Sequence, residues 1–271
     1  MASTDKLFAG PIPELYDRLL VPMLFDTYAA DLAERVAAAK PQHVLEIAAG
    51  TGALTRAMAS RLDAKASLVA SDLNQPMLDR AAARQGEDAR IVWRQADATA
   101  LPFDDQSFDV AACQFGAMFF PDKVQAYREA WRVLKPGGRY LFNVWEDISE
   151  NDFARVVSDA LATLFPESPP RFMDRVPHGY HDLSLIRREL ADAGFDGVSV
   201  ETLQRTSRAS SAREAATAYC QGTPLRAEIE MRDPSGLERA TQVGTEALAR
   251  RFGEGAIEGR ISAHVISAMR P

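Results

Sequence analysis

The chain has 271 residues, of which 46% are hydrophobic and 25% are charged, a composition typical of a soluble globular protein that buries a sizeable core. Its 38 acidic and 31 basic residues give a formal net charge of −7, which disfavours a nucleic-acid-binding protein because such proteins carry a basic surface. No apolar run is long enough to span a membrane and the N-terminus lacks the pattern of a signal peptide, so we expect a cytoplasmic protein.

The predicted elements begin with helical residues 1–40, which Pro11, Pro13 and Pro22 break. From residue 42 onward, short apolar runs alternate with amphipathic runs, and this alternation predicts βαβ units around a parallel sheet. The predicted strands cover residues 43–48, 67–72, 90–97, 108–116, 139–145, 198–204 and 259–269. The predicted helices cover residues 53–62, 76–85, 123–134, 153–165 and 183–195, with further helical segments in 207–256. The "KPGG" sequence at 135–138 is predicted to end a helix with a left-handed glycine cap.

The two cysteines, Cys113 and Cys220, lie far apart in the sequence. They form neither a disulfide framework nor a group with the spacing of metal ligands, so no metal is predicted. Cys113 stands in a predicted strand and is interpreted as a small buried residue.

A glycine turn follows the first predicted strand, in the stretch "VLEIAAGTGALTRAMA" at 44–59. A P-loop is excluded because its lysine is absent, and a dinucleotide fingerprint lacks its third small residue, since Thr55 stands there. Glu46 lies four residues before Gly50, and its carboxylate would repel a pyrophosphate. It would suit a ligand with an ammonium group and no phosphate, and S-adenosylmethionine is such a ligand. A nicotinamide-dependent oxidoreductase stays open as the alternative enzyme class.

These residues carry a resemblance to class I S-adenosylmethionine-dependent methyltransferases, particularly the bacterial small-molecule group that includes ubiquinone/menaquinone C-methyltransferases. "LEIAAGTG" is similar to the first motif of that family, with two alanines in place of a Gly-Cys or Gly-Gly pair. Asp72, at the end of the second strand, matches the acid that binds the ribose, and Asp97 and Ala98 match the pair beside the adenine. The cofactor-binding residues that the resemblance implies are Glu46, Ala48, Gly50, Gly52, Asp72, Leu73, Met77, Asp97, Ala98, Gln114 and Phe115.

The resemblance also implies an α/β fold, with a Rossmann-like, seven-stranded, mostly parallel sheet, flanking helices and an antiparallel last strand. We expect a single domain over 1–271. It would contain N-terminal helices in 1–40, a cofactor-binding core in 41–145, and cap-like helical insertions in 146–180 and 207–256. The aromatic content of these insertions suits either a cap over an apolar small molecule or ordinary packing on the sheet.

The implied reaction is an in-line transfer of a methyl group from S-adenosylmethionine to a small-molecule acceptor. The loop after the fourth strand lacks the N-P-P-[YFW] sequence of similar enzymes that methylate nucleic-acid bases, which further disfavours a nucleic-acid acceptor. Candidates for a catalytic base are Tyr16, His178 and His181, although the sequence favours a surface or capping role over a catalytic one for the two histidines. A protein that binds S-adenosylmethionine without methyl transfer stays open, as does a homodimer.

Overall fold

The structure is a computed structural model that describes residue 8 and residues 10–271. These residues form two compact units. The core unit comprises Asp26–Val144, His181–Thr202 and His264–Pro271. The helical unit comprises Trp145–Tyr180, Leu203–Ala263 and the described residues up to Phe25.

The described residues form one seven-stranded sheet with the order β3-β2-β1-β4-β5-β7-β6. Its strands are β1 (His43–Ile47), β2 (Ser67–Asp72), β3 (Ile91–Gln95), β4 (Phe108–Gln114), β5 (Leu134–Trp145), β6 (Asp196–Ala209) and β7 (Ile257–Met269). Strands β1 to β5 pair in parallel, so their carboxyl ends lie along one edge. The backbone N–H of Arg270 donates to the carbonyl oxygen of Gly138, and that of Glu146 donates to the carbonyl oxygen of Ser262. Since the start of β5 pairs with the end of β7, the two strands are antiparallel. The predicted fold class is confirmed.

Helices follow most strands. The core unit contains α2 (Asp26–Ala38), α3 (Ala53–Ala59), α4 (Gln75–Gln85), α5 (Lys123–Val133) and α8 (Leu183–Asp192). The helical unit contains α1 (Ile12–Leu15), a π-helix (Tyr16–Phe25), α6 (Asp152–Leu164), α7 (Phe172–Arg175), α9 (Ala212–Gln221), α10 (Leu225–Arg232) and α11 (Leu237–Phe252). None of these helices, in the ranges that the structure describes, has both the length and the apolar character needed to cross a membrane.

Two local predictions are wrong. The "KPGG" sequence does not cap a helix, because α5 already ends at Val133 and residues 135–138 belong to β5. Pro136 disfavours helical backbone at Lys135, and Leu134 already pairs with Phe108 of β4. Pro22 does not break the N-terminal helix but lies inside the π-helix.

Burial on both faces of the sheet explains why the strands of the core unit are short and apolar. Four of the five residues of β1 are buried, as expected for a strand covered on both faces. The parallel register aligns Glu46 with Ala70 of β2 and with Ala112 of β4. Within the core unit, the loops after β1, β2, β3 and β4 therefore leave the same edge of the sheet, where ligands of open α/β sheets bind.

Candidate functional site

The turn between β1 and α3 places three residues in the left-handed backbone region. The φ angles are 57° at Ala48, 55° at Gly50 and 80° at Gly52, the residue that precedes α3. Glycine adopts this conformation without a steric cost, whereas alanine does not. Gly52 also has no room for a side chain, since a Cβ there would lie 3.0 Å from Cβ of Ala81 in α4. The turn therefore exposes backbone rather than side chains to a ligand.

Glu46 lies fully buried next to this turn. Its Oε2 accepts a hydrogen bond of 2.5 Å from the hydroxyl of Thr55 in α3. Burial raises the pKa of Glu46 to about 8; the Thr55 hydroxyl and the nearby Arg56 lower it, and the charge of Asp72 raises it further. Such a carboxyl group holds a proton at neutral pH unless a cation arrives.

The second oxygen of Glu46 is the feature that points to a ligand. Oε1 is buried and has no hydrogen-bond partner among residue 8 and residues 10–271. The buried hydroxyl of Thr51, inside the glycine turn, likewise lacks a partner in these ranges. Buried polar atoms are paired in the great majority of native proteins. An unpaired carboxylate oxygen and an unpaired hydroxyl beside an open backbone turn therefore fit a ligand with a donor group such as an ammonium.

Asp72 ends β2 and is also buried. Its Oδ2 accepts a 2.9 Å hydrogen bond from the backbone N–H of Gly50, and its Oδ1 accepts one of 2.8 Å from the backbone N–H of Asn74. Burial raises the pKa of this carboxyl group, while these hydrogen bonds act in the opposite direction. Oδ1 also accepts from Nδ2 of Asn74 at 3.5 Å, a long contact that a ligand hydroxyl group would replace if Asp72 accepted from two hydroxyl groups.

Four further predicted cofactor residues lie after β2 and β3. Leu73 is 42% exposed, which is unusual for a large apolar residue, whereas Met77 in α4 is buried and lies close to Gly50. Asp97 is exposed and caps a turn, because its Oδ1 accepts from the backbone N–H and the hydroxyl of Thr99. The neighbouring residue, Ala98, is half-buried. The exposed Leu73 provides an apolar surface for a flat ligand group.

The loop after β4 begins with Gln114, the half-buried last residue of that strand, and Phe115. Phe115 has a φ of 51° and packs edge-on against Tyr28 of α2, with 5.3 Å between ring centroids. The next residue, Gly116, lies so close to Ala48 that a Cβ at Gly116 would be 2.5 Å from the alanine Cβ. The β4 loop is thus packed against the glycine turn, with backbone strain at Phe115 and Ala48 on both sides of the contact.

Asn143 holds this strained loop and was not identified from the sequence. Its side-chain oxygen and its main-chain oxygen each lie 3.2 Å from the backbone nitrogen of Phe115. Its Nδ2 is buried and has no hydrogen-bond partner within the described ranges. A single amide in the apolar run "YLFNVW" is a signal that could have found it, because a buried strand rarely contains an amide without a partner. No comparable signal exists for the contact between Thr55 and Glu46.

The three predicted base candidates lie in different surroundings. Tyr16 begins the π-helix, is half-buried and stacks on Phe25 with 5.1 Å between ring centroids. His178 is only 4% exposed, so the surface role considered for it is wrong. His181 is half-buried and directly precedes Asp182, the N-cap of α8. Tyr16 and His178 belong to the helical unit, whereas His181 and all eleven predicted cofactor residues belong to the core unit.

The fold and the turn define the class of protein. The mostly parallel sheet carries a glycine turn after β1 and an acid at the end of β2. An unpaired buried carboxylate oxygen lies beside the turn. Together these features define a Rossmann-like domain for a nucleoside cofactor without a pyrophosphate.

Comparisons with known proteins identify the family. Residues 45–142 match the methyltransferase domain family. The chain is 35% identical over 148 residues to demethylmenaquinone methyltransferase of Lactiplantibacillus plantarum, covering 54% of this chain and 61% of that relative. It is 31% identical over 172 residues to the ubiquinone/menaquinone biosynthesis C-methyltransferase of Ectopseudomonas mendocina, covering 59% of this chain and 67% of that relative. The chain belongs to the S-adenosylmethionine-dependent methyltransferases that include these enzymes, which confirms the predicted family.

A solved structure supports the fold. The phosphoethanolamine N-methyltransferase 2 of Haemonchus contortus, in complex with phosphomonomethylethanolamine and S-adenosylhomocysteine, matches with a TM-score of 0.64 at 17% identity. The match covers 100% of this chain and 61% of that chain. At this identity the similarity establishes the fold alone.

Proposed function

We propose that this protein transfers a methyl group from S-adenosylmethionine to a small-molecule acceptor. The observation that carries the proposal is the buried, unpaired oxygen of Glu46 beside the glycine turn. An ammonium group would complete the hydrogen bonding of that oxygen and replace the proton that burial otherwise favours.

The residues present fit S-adenosylmethionine better than a dinucleotide. Glu46 is buried next to the turn, where its carboxylate form would repel a pyrophosphate, whereas an acid at the position of Asp72 would suit the ribose of either cofactor. The amino-acid end of S-adenosylmethionine instead provides a cation for Glu46, and its ribose provides two hydroxyl groups for Asp72. This arrangement disfavours the nicotinamide-dependent oxidoreductase.

Each predicted cofactor residue then has a role. Glu46 and the backbone of Ala48, Gly50 and Gly52 would hold the amino-acid end, and Asp72 would hold the ribose. The adenine would lie against Leu73 and Met77, with Asp97 and Ala98 at its edge. Gln114 and Phe115 would lie beside the reacting methyl group.

The bound cofactor supplies a methyl group that its sulfonium already activates. The protein therefore has to align the acceptor, exclude water and, for a protonated acceptor, remove a proton. The relatives above are named for methylating demethylmenaquinone or for ubiquinone and menaquinone biosynthesis, which supports a small molecule as the acceptor here. The cap-like role of the insertions 146–180 and 207–256 remains a proposal.

Calorimetry with S-adenosylmethionine, S-adenosylhomocysteine and NAD tests the proposal. We expect the first two ligands to bind and NAD not to bind. Binding of NAD without S-adenosylhomocysteine would refute it. Tight binding of S-adenosylmethionine without turnover against a broad panel of acceptors would favour a binding protein that transfers no methyl group.

Two further expectations concern the protein as a whole. A homodimer remains a proposal, which light scattering on the purified full chain would test. A cytoplasmic location also remains a proposal, and cell fractionation would test it.

A further inference from the structure

A cavity of about 580 Å³ lies at the amino ends of β1, β4 and β5, on the edge of the sheet opposite to the glycine turn. Its lining residues all fall within Asp26–Val144, so the cavity belongs to the core unit alone. The lining includes the whole "KPGG" sequence, which takes no part in the proposed cofactor site. The volume is in the range of sites that bind small molecules.

The charge of this cavity differs from that of the chain as a whole. The chain has a formal net charge of −7, yet four cations and one carboxylate are found among the described residues that line the cavity. The cations are Arg35, Lys40, Lys135 and Arg139, and the carboxylate is Asp109. Cations gathered around a concave space attract an anion, because the protein walls focus their electric field.

Asp109 holds one of these cations in place. Nζ of Lys135 donates to Oδ1 of Asp109 at 2.7 Å. Oδ2 of Asp109 accepts from the backbone N–H groups of Gln42 and His43 at 2.9 and 2.8 Å, which fixes the carboxylate against the start of β1. An ammonium group has three N–H donors, so Lys135 keeps two for a ligand.

Arg35 is neutralised from outside the cavity lining. Its Nε donates to Asp31 at 2.6 Å, and its Nη2 donates to Glu201 at 2.8 Å. Lys40 and Arg139 are exposed, and neither side chain has a hydrogen bond or an ion pair within residue 8 and residues 10–271. These two side chains therefore carry the charge that an anion would neutralise.

The backbone determines the position of Lys40. Its N–H donates to the carbonyl oxygen of Ala37 at 2.9 Å, just after the end of α2, and its φ is 49°. Glycine adopts this left-handed conformation without a steric cost, whereas lysine does not. The C-terminus of a helix carries a partial negative charge that disfavours an anion, and the charge of Lys40 offsets it.

The chemistry of the lining indicates the class of ligand. No aromatic side chain is found among the described residues that line the cavity, so the cavity offers charge rather than a surface for stacking. A guanidinium group binds phosphate oxygens through two parallel N–H groups, and an ammonium group binds them as a point charge. We infer that the cavity binds a small, multiply charged phosphate anion, with pyrophosphate as the simplest one, through Lys40, Lys135 and Arg139. The inference does not depend on methyl transfer.

Calorimetry of the full chain with pyrophosphate tests the inference. We expect pyrophosphate to bind, and inorganic phosphate to bind more weakly because it carries fewer charges. The affinity for pyrophosphate should fall as the ionic strength rises from about 0.01 M to about 0.15 M. Absence of pyrophosphate binding at about 0.01 M would overturn the inference.

Lys40→Gln combined with Arg139→Gln removes the two unpaired cations. We expect this double variant to bind pyrophosphate at least about tenfold more weakly, because charge-assisted hydrogen bonds are lost at both positions. The matched control combines Arg94→Gln with Arg188→Gln, which removes the same charge from exposed positions of the core unit outside the lining. The control should stay within about threefold of the wild type, since exposed charges at a distance are screened. An equal loss in both double variants would reduce the effect to net charge and overturn the site.

Lys40→Gly separates binding from stability. Because glycine accepts a φ of 49°, this variant should melt at a temperature no lower than that of the wild type, yet bind pyrophosphate more weakly. An unchanged affinity for pyrophosphate would overturn the role assigned to Lys40.

Vesicles distinguish a free phosphate anion from the phosphate of a lipid headgroup. We expect the wild-type chain not to bind vesicles of phosphatidylglycerol in a flotation assay. Binding to these vesicles, lost in Lys40→Gln combined with Arg139→Gln and without binding of pyrophosphate, would assign the cations to a lipid surface and overturn the inference. Affinity for S-adenosylhomocysteine should be equal in both double variants, because the cavity lies at the opposite edge of the sheet. A loss confined to the first double variant would show that its substitutions act through the fold, which would also overturn the site.

Discussion

The substitution Glu46→Gln gives the sharpest test of the cofactor site. The variant keeps the size of the side chain and its hydrogen bond to Thr55, but it removes the group that titrates. In the free protein, burial raises the pKa of Glu46 to about 8 from the usual 4.5. In the complex, the ammonium group of the ligand would favour the carboxylate, so binding should release a proton.

The magnitude follows from this pKa. At pH 6 about one wild-type molecule in a hundred has an ionised Glu46, and at pH 7 about one in ten. The affinity for S-adenosylhomocysteine should therefore rise about tenfold between pH 6 and pH 7, where the ligand ammonium stays charged. Glu46→Gln should bind more weakly at pH 7, and its affinity should stay nearly constant across this interval.

Calorimetry in two buffers that differ in ionisation enthalpy measures the proton directly. We expect close to one proton released per S-adenosylhomocysteine at pH 6.5 for the wild type, and none for Glu46→Gln. Asp72 lies in the same site and its pKa is also raised, so it is the competing source of a proton. Proton release that persists in Glu46→Gln would refute the role assigned to Glu46.

The same substitution has an opposite effect on the free protein. Because the folded pKa of Glu46 lies above its unfolded value, ionisation opposes folding, and stability falls as the pH rises from about 4.5 to about 8. The cost at pH 7 is about 3 kcal/mol. Without ligand, the melting temperature of Glu46→Gln should therefore exceed that of the wild type by a margin that grows between pH 5 and pH 8. A margin that stays constant with pH would contradict the raised pKa.

Three further substitutions test other parts of the structure. Asp72→Asn should weaken S-adenosylhomocysteine binding at least tenfold, since hydrogen bonds to a charged acceptor contribute about 1.5–3 kcal/mol each. An unchanged affinity, measured by calorimetry, would show that the ribose does not bind at Asp72. Gly52→Ala should lower the free energy of unfolding by about 1–2 kcal/mol in a urea titration. The φ of 80° is unfavourable for alanine, and the added Cβ would also contact Ala81. Equal stability of variant and wild type would contradict the left-handed backbone at Gly52. Arg270→Ala should lower the free energy of unfolding by roughly 1–3 kcal/mol in the same titration. The buried guanidinium stacks on Trp131 at 3.7 Å and donates hydrogen bonds to three backbone carbonyl groups. A decrease below about 0.5 kcal/mol would show that these contacts contribute little to stability.

The fold could be predicted from the sequence where local pattern and tertiary pairing agree. β2 matches its predicted range, residues 67–72, because its apolar run ends at a loop that begins with Leu73-Asn-Gln-Pro. β6 extends to Ala209, beyond the predicted end at 204, because pairing with β7 stabilises polar residues that no local pattern marks as a strand. The π-helix was not predicted either, since its hydrogen bonds follow no sequence signal that distinguishes it from an α-helix.

The candidate site was predictable to the extent that its residues follow strand ends. The sequence predicts Glu46, Gly50, Gly52 and Asp72 as candidates because they lie at fixed positions around β1 and β2. The contact that Asn143 makes with Phe115 could not be found in this way, because it joins residues that lie 28 positions apart in the chain. Contacts between loops depend on the register of the sheet, and periodicity does not specify that register.

Unpaired buried atoms at the carboxyl ends of the strands connect the stability of this protein to its function. Glu46 near the end of β1, Thr51 in the turn after it and Asn143 near the end of β5 each bury a polar atom with no partner among the described residues. Glu46 and Thr51, next to and within the glycine turn, provide an acceptor and a hydroxyl, and Asn143 provides a donor near the end of β5. Each such atom costs the free protein about 1–3 kcal/mol. A ligand that paired such an atom would remove the cost only in the complex, so an atom that weakens the free fold would strengthen binding.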